Sequence, residues 1–546
     1  MKTASSSTQT VSMTVEQAHQ QAITFYQNGQ LQDAERLYRA ILQVYPRDPD
    51  ANHNLGSLLQ DTNRLLEAEA AYHRAIECRP NFLEAFNNLS TMLEKANRLP
   101  EAEAACRCAL ELKPDSAVIL YNLGIILKKT NHLFEAEKVY RQAIELQSDM
   151  IEAHNNLGSL LHENDRLHEA ETTYLHAITL KPAHVEAHNN LGSLLYDTNR
   201  LLEAEQVYRH AIELKPDFAD AHCNLAFTLL KLGDLKAGWE EYEWRWATPQ
   251  MLGARRDFTQ PQWHGEAAEG KTLLIHLEGG FGDTLQFCRY AQLAIARGLR
   301  VILEVQPELV RLLQCLPGVD RVVRAGEEVP AFDLHCSMLS LPLAFETDLA
   351  TIPRATSYLN ADKAQVDAWR IRLADLSNKN FRIGLAWAGN PRSHFSRLAA
   401  VDRRRSIAPE LLAPLFNLPG FHFFSLQKDR AVAPENFLLT DFMGEMKEFA
   451  DTAALIANLD LVISVDTSVA HLAAALGKPV WVLDRFDSCW RWLHDREDSP
   501  WYPTVRLFRQ PQPGDWHAVI EKVVEELPYW HRESLCNEIA TPNIDN

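Results

Sequence analysis

Asn156-Leu157-Gly158, followed by Ala170, Tyr174 and Pro182, is one turn of a pattern that runs through the first half of this chain. The Asn-Leu pair stands at Asn54-Leu55, Asn88-Leu89, Asn122-Leu123, Asn156-Leu157, Asn190-Leu191 and Asn224-Leu225, a spacing of 34 residues without a slip. Gly56, Gly124, Gly158 and Gly192 follow the Leu. Ala68, Ala102, Ala136, Ala170 and Ala204 sit thirteen residues beyond it, and Tyr72, Tyr140, Tyr174 and Tyr208 come four later. Pro80, Pro114, Pro182 and Pro216 close the units. A fixed period of this length marks a solenoid of helix pairs, because no single pair buries its apolar face alone and neighbours must stack. Small Gly and Ala let the two helices of a unit approach, Tyr fills the gap between them, and Pro cannot continue the second helix.

The period and its in-phase positions resemble the tetratricopeptide family over residues 15–246. A degenerate first unit carries Ala34, Tyr38 and Pro46, and the last ends in Trp239, Tyr242, Trp244 and Trp246, which read as a plug on the end of the solenoid. Asn54, Asn88, Asn122, Asn156, Asn190 and Asn224 recur on one face beside His53, Asn87, Asn155 and Asn189. A primary amide donates and accepts at once, which suits the backbone of an extended peptide, so one reading is a peptide groove. The other is packing between repeats. The ladder also resembles the superhelix of O-linked N-acetylglucosamine transferases.

At 546 residues the chain is too long for one core, and ~150 residues per domain implies three to four domains. Apolar residues make up 46% and charged residues 23%, a soluble, folded composition. Fifty-four basic against 73 acidic side chains leave −19, a field that repels polyphosphate, so nucleic acid is not an expected partner. The first residues hold one Lys and no apolar core, and nowhere do eighteen apolar residues follow one another. The expected location is therefore cytoplasmic, with no integral membrane association. Nine Cys, an odd number without zinc-site spacing, read as reduced thiols.

Residues 247–270 mix Gly, Pro and charge without periodicity and read as a linker. They lead into Gly265-x-x-x-x-Gly270-Lys271-Thr272, which matches the phosphate-loop pattern. Such a loop needs a strand before it and a helix after it, whereas an apolar, strand-like run follows the Lys, so the match is rejected.

Beyond it, strand-length apolar runs at Leu273–Leu277, Arg300–Val305, Arg321–Val323, Arg382–Ala388, His422–Leu426, Leu459–Val465 and Pro479–Leu483 alternate with helical patterns such as Thr284–Arg297 and Val469–Leu476. Alternation of this kind means parallel sheets, and a polar passage at 375–380 divides it into two doubly wound Rossmann-like domains facing a cleft. The expected order is a disordered N-terminus at 1–14, the repeats at 15–246, the linker, a first Rossmann-like domain at 271–375, a second at 376–535 and a tail at 536–546. The first strand runs into Glu278-Gly279-Gly280-Phe281-Gly282-Asp283. Gly280 and Gly282 allow the backbone close to a ligand, and Asp283 opens a helix, as an N-cap or as a group serving the cleft. In the second domain the strand Asp460–Val465 runs into Asp466-Thr467-Ser468-Val469-Ala470-His471, where free helix-start amides suit a diphosphate.

These two motifs, the second continuing to Gly477-Lys478-Pro479-Val480, resemble the ADP-heptose lipopolysaccharide heptosyltransferases and their glycosyltransferase relatives of GT-B fold over residues 271–525. Repeats ahead of a GT-B unit are also the domain order of O-linked N-acetylglucosamine transferases, whose catalytic motifs are not seen here. The resemblance implies that 271–375 is the acceptor-side domain and 376–535 the nucleotide-sugar donor domain, and that Asp283 is the general base. It places Asp466 at the donor sugar or ribose, Thr467, Ser468 and Val469 at the diphosphate, and His471 as the motif His, unless that side chain is simply packed into the helix. Asn390 ends the loop after the donor domain's first strand. In the charged run Arg403-Arg404-Arg405, Arg405 is the expected phosphate cation, and Gln427 and Lys428 face the same cleft.

No Asp-x-Asp stands at a strand end, so no metal and no cofactor are expected. The stretch Asp484–Trp492 carries more charge than this family pattern leads one to expect beside a donor pocket. Trp490, Trp492, Trp501 and Tyr502 read as core rather than as a stacking platform. The expected function is a metal-independent inverting glycosyltransferase acting from a nucleotide-sugar donor on a protein or peptide acceptor held by the repeats. Two alternatives stay open. One is a tetratricopeptide scaffold with a silent GT-B unit, and the other is a glycolipid or lipopolysaccharide glycosyltransferase, which the lack of a basic amphipathic stretch disfavours.

Overall fold

A computed structural model describes residues 13–374, 376, 380–390, 396–428, 434 and 437–540. It divides into two compact units, Met1–Ala187 and His188–Asn546. Of the expected N-terminal and C-terminal extensions, 1–12 and 541–546 lie outside the described residues, as does most of the dividing passage at 375–380. The C-terminal helix runs from Trp516 to Ala540.

The first unit is a stack of helix pairs, for example Ile151–Glu163 with Leu167–Leu180. The gap left by glycine is real: a Cβ on Gly56 would lie 2.8 Å from the Tyr72 ring, and one on Gly158 2.6 Å from Tyr174. Where the glycine becomes Ser90, the tyrosine 34 positions on from Tyr72 becomes Cys106, and both are fully buried. A second 34-residue period sits in the turn inside each pair. Asn63, Asn97, Asn131 and Asp165 all hold φ near +60°, which Asn and Asp tolerate because their side chains bond locally. Gly29 fills that place in the first pair. Proline reinforces the end of each second helix without dictating it, since the helix Leu133–Leu146 stops in phase although Gln147-Ser148 replaces Lys-Pro.

The second unit begins with the remaining helix pairs, whose turns use Asn199 and Gly233 at the same left-handed position. Two parallel sheets follow. The first holds β1 (Thr272–His276), β2 (Arg300–Val305), β3 (Val319–Arg324) and β4 (Leu334–Ser337) in the order β3-β2-β1-β4. The second holds β5 (Phe381–Ala386), β6 (Phe421–Ser425), β7 (Leu439–Asp441), β8 (Leu461–Val465), β9 (Val480–Asp484) and β10 (Val505–Arg509) in the order β10-β9-β8-β5-β6-β7. Both are doubly wound, as expected of a GT-B unit. β1 begins at Thr272, so the phosphate-loop match runs straight into a strand.

Three strands, β4, β7 and β10, escape the sequence reading. The helix expected over Thr284–Arg297 is two helices, Phe281–Phe287 and Tyr290–Ala296. They break at Arg289, whose buried guanidinium leaves the helix axis to donate to Trp501 O at 2.7 Å and Pro353 O at 3.0 Å. Leu230, Leu235 and Trp239 from the last repeats belong to one core with residues of both sheets. Trp239 meets Trp490 edge-on with centroids 5.2 Å apart, and Trp490, Trp492, Trp501 and Tyr502 are buried in that core.

Candidate active site

In a doubly wound sheet the ligand crevice lies at the carboxyl ends of the strands where the winding reverses. In the first sheet that point lies between β1 and β4, and in the second between β5 and β8. β1 ends in Glu278-Gly279-Gly280, and Gly279 takes φ +84°, a left-handed conformation that brings the chain sharply into the helix Phe281–Phe287. Asp283 is the N-cap partner: its Oδ2 accepts from Gly280 N at 2.7 Å. Its Oδ1 is ion-paired with Arg491 from the other domain.

β8 ends at Val465 and runs into Asp466, and the helix Ser468–Ala475 follows with Thr467 as its cap residue. Ser464 Oγ and Thr467 Oγ1 are hydrogen-bonded at 3.1 Å, which ties the turn to the strand. Arg405 Nη1 donates to the Asp466 carbonyl at 3.1 Å, while its Nε rests on Asp402 at 2.8 Å. Arg405 therefore holds the Asp466 turn in place. Gln427 Oε1 accepts from the amides of Trp387 and Ala388 at 3.1 and 2.9 Å, joining the turns after β5 and β6. Lys428 is exposed, with Nζ 3.4 Å from Met446 O, and Asn390 is exposed at the end of the β5 turn.

The two halves touch. A Cβ on Gly282 would lie 3.0 Å from His471 Cδ2, a contact tight enough that the His471 ring would have to give by a few tenths of an ångström. His471 is buried, with Nδ1 2.9 Å from Tyr502 Oη and Nε2 3.9 Å from Asp466 Oδ1. Burial outweighs the nearby carboxylates and pushes its pKa down to about 4, so it is neutral at pH 7. Arg311 of the first sheet's domain also pairs with Glu448 at 2.7 Å and with Asp451 of the second. Gly280, Gly282, Asp283, Asp466–Val469 and His471 thus converge, with Arg405 behind the Asp466 turn and Asn390, Gln427 and Lys428 along the same strand-end edge of the second sheet. Among the described residues no three His, Cys, Asp or Glu side chains are grouped to hold a metal ion.

The glycosyltransferase family 9 (heptosyltransferase) family matches residues 428–483, which contain the Asp466–His471 junction. Tetratricopeptide families match residues 19–81, 53–117, 117–150, 151–184 and 192–233. Tetratricopeptide repeats here precede a glycosyltransferase family 9 domain. Protein FlbA of Caulobacter vibrioides is 28% identical over 330 residues, covering 55% of this chain and 54% of FlbA. The chain thus spans about half the length of that relative. Among solved structures, YrrB, described as a TPR protein with an unusual peptide-binding site, is 23% identical over 34% of this chain and 95% of its own, with a TM-score of 0.29. A tetratricopeptide repeat protein from Parabacteroides merdae is 16% identical over 42% of this chain and 91% of its own, with a TM-score of 0.38.

The last repeats also reach the glycosyltransferase domain at residues that sequence reasoning missed. Arg404 is shared at 3.0 Å between Asp197, in the repeats, and Asp487, after β9. Asn199, the left-handed turn residue, donates to Phe486 O at 2.7 Å and accepts from buried Lys231 at 2.9 Å. A cleft of about 730 Å³ at the ends of β1 and β4 is walled by Trp244, Trp246, Phe258, His276 and His335. Trp244 and Trp246 therefore line a cleft, whereas Trp239 is the core plug. The excess charge in Asp484–Trp492 was the available signal, since that segment carries Asp487 and Arg491.

The Asn ladder is partly spent between repeats. The Nδ2 of Asn88 donates to His53 Nε2 at 3.0 Å, that of Asn122 to Asn87 Oδ1 at 2.8 Å, and that of Asn156 to Tyr121 Oη at 3.2 Å. In the second unit Asn224 Nδ2 donates to Asn189 Oδ1 at 2.9 Å. An amide has a second N–H and a carbonyl beyond the one bond, so packing and a groove role are compatible. Asn54 and Asn190 occupy the same half-buried position in their helices.

Proposed function

We propose that this chain is a nucleotide-sugar-dependent, inverting glycosyltransferase whose repeats recruit a protein or peptide acceptor. The observation that carries the reading is the meeting of Asp283 with the Asp466–His471 junction through the Gly282–His471 contact. In one displacement the acceptor hydroxyl gives its proton to an Asp283 carboxylate oxygen as its own oxygen attacks the anomeric carbon. The bond from that carbon to the diphosphate breaks on the opposite face, its electron pair leaves with the nucleoside diphosphate, and the configuration inverts.

Without a metal, the charge on the departing diphosphate falls to the helix-start amides of Thr467, Ser468 and Val469 and to nearby cations. Asp466, whose backbone carbonyl accepts from Arg405, is read as the partner of a donor hydroxyl. The cleft beside Trp244 and Trp246 supports an acceptor side completed by the last repeats. The test is a thermal-shift series on the full chain with ADP, GDP, UDP and CDP, with and without EDTA. One diphosphate at 100 times its Kd adds ~2.7 kcal/mol and raises the melting temperature equally in EDTA. No shift with any of them favours a silent scaffold, and a shift abolished by EDTA overturns the metal-independent reading.

A further inference from the structure

Arg491 stands where the two domains meet. It lies in the loop after β9, and its guanidinium crosses to the acceptor-side domain, where it pairs with Asp283 and gives Nε to Gln286 Oε1 at 2.8 Å. Nη1 lies 3.3 Å from Cys489 Sγ, and the guanidinium stacks over the Trp490 ring at 4.4 Å. The side chain is only 16% exposed, and among the described residues Asp283 is the one carboxylate within ion-pairing distance. The other oxygen of Asp283 is taken by Gly280 N. In this arrangement the carboxylate that serves as proton acceptor already holds two donors.

We propose that Arg491 exchanges partners when the donor binds, leaving Asp283 for the diphosphate and freeing the carboxylate toward the acceptor hydroxyl. This rests on the reading of Asp283 as base and of the Asp466–His471 junction as the diphosphate site. A planar guanidinium fork matches phosphate oxygens as well as a carboxylate, and a diphosphate carries more negative charge. Asp466, which leads into the diphosphate junction, acts on the Arg491 charge together with Asp283. Neutral His471, between the two helix starts, adds no competing cation. Availability of the base is thereby tied to occupancy of the donor site, which imposes donor-first order.

The exchange is read without any acceptor, by calorimetric titration of the full chain with whichever of ADP, GDP, UDP or CDP stabilises the wild type most. Asp283→Asn removes the competitor for Arg491, so it binds the diphosphate about threefold or more tighter, while Arg491→Met binds about tenfold weaker. The double variant binds like Arg491→Met alone, because the gain in Asp283→Asn acts through Arg491. Unchanged or weaker binding by Asp283→Asn, or wild-type binding by Arg491→Met, overturns the exchange. If Arg491→Met does not fold, Arg491→Lys takes its place, with affinity below wild type expected and wild-type affinity overturning. Full transfer activity in Asp283→Asn alongside tighter diphosphate binding removes the base reading and leaves the exchange standing. No diphosphate binding by the wild type removes both.

Discussion

Arg245, at the end of the repeats, meets Glu278, at the end of β1, with two guanidinium nitrogens: Nε to Oε1 at 2.7 Å and Nη2 to Oε2 at 2.9 Å. Both side chains are buried, and the pair is completed by Glu243, Ser337 and Ser340. The last repeat is therefore built into the glycosyltransferase body at the root of the Gly280–Asp283 loop. Breaking such a pair strands a buried charge, which costs about 3–5 kcal/mol.

Arg245→Ala should accordingly lower unfolding free energy by about that amount in chemical denaturation, and Arg245→Lys should recover only part, because it cannot engage both oxygens. A loss of less than about 1 kcal/mol for Arg245→Ala, the range of an exposed pair, would contradict the buried role. For the same reason a chain trimmed to begin at Gly270 should fold poorly, whereas one beginning at His188 keeps Trp239 and Arg245.

In the repeats, Asn122→Ala and Asn156→Ala together remove two inter-repeat bonds, each worth about 1 kcal/mol. If the ladder also reads peptide backbone, the double variant raises the acceptor KM with donor hydrolysis unchanged. An unchanged acceptor KM would assign the amides to packing.

How much of this was legible differs by element. The repeat period survives because Gly, Tyr and the Asn-Leu pair each answer one packing demand per unit. The central strands show as unbroken apolar runs because both faces are buried. β4, with four residues including His335 and Ser337, and β7, with three, are too short to show, and β10 has its apolar run interrupted by Arg506 and closed by Arg509. Asp283 and Asp466 were visible because strand-end loops carry local signals. Arg491 was not assignable, since its partner lies 208 residues away and only the folded domains bring them together.

Acid stability follows from two buried imidazoles. Burial lowers His471 to about 4 and His276 to about 3 from an ordinary 6.5, so the folded chain refuses protons that the unfolded chain accepts. Their stabilisation is complete above pH 6.5 and is lost as pH falls toward 4, at roughly 1.4 kcal/mol per pH unit for each group. Buried Asp484, raised to about 6, works in the opposite sense over part of this window, gaining stability as pH falls from 6 toward 4. Burial also lowers His53, His154, His335, His422 and His494, and arginine partners outweigh burial to lower Glu35 and Glu137, all in the same sense as His471 and His276, so the balance is a net loss. His471→Gln should lower stability at every pH, through the lost Trp492 stacking, yet flatten the decline in melting temperature between pH 6.5 and 4.5. A slope equal to wild type would exclude His471 as a source of it.

Asp283 carries the chemical proposal, and its geometry defines the control. Asn at this position keeps an oxygen for the Gly280 amide and so preserves the cap, but it cannot act as a carboxylate base or pair ionically with Arg491. General-base catalysis contributes about 10²- to 10⁴-fold, roughly 3 to 5 kcal/mol of barrier. Single-turnover sugar transfer at saturating donor should therefore fall by that factor in Asp283→Asn. Saturation matters because the variant's diphosphate affinity is itself expected to change. If Asp283 only caps its helix, transfer stays within a few-fold of wild type, and the base must be sought elsewhere in the cleft, where buried His471 is already neutral, with Nδ1 on Tyr502 and Nε2 toward Asp466.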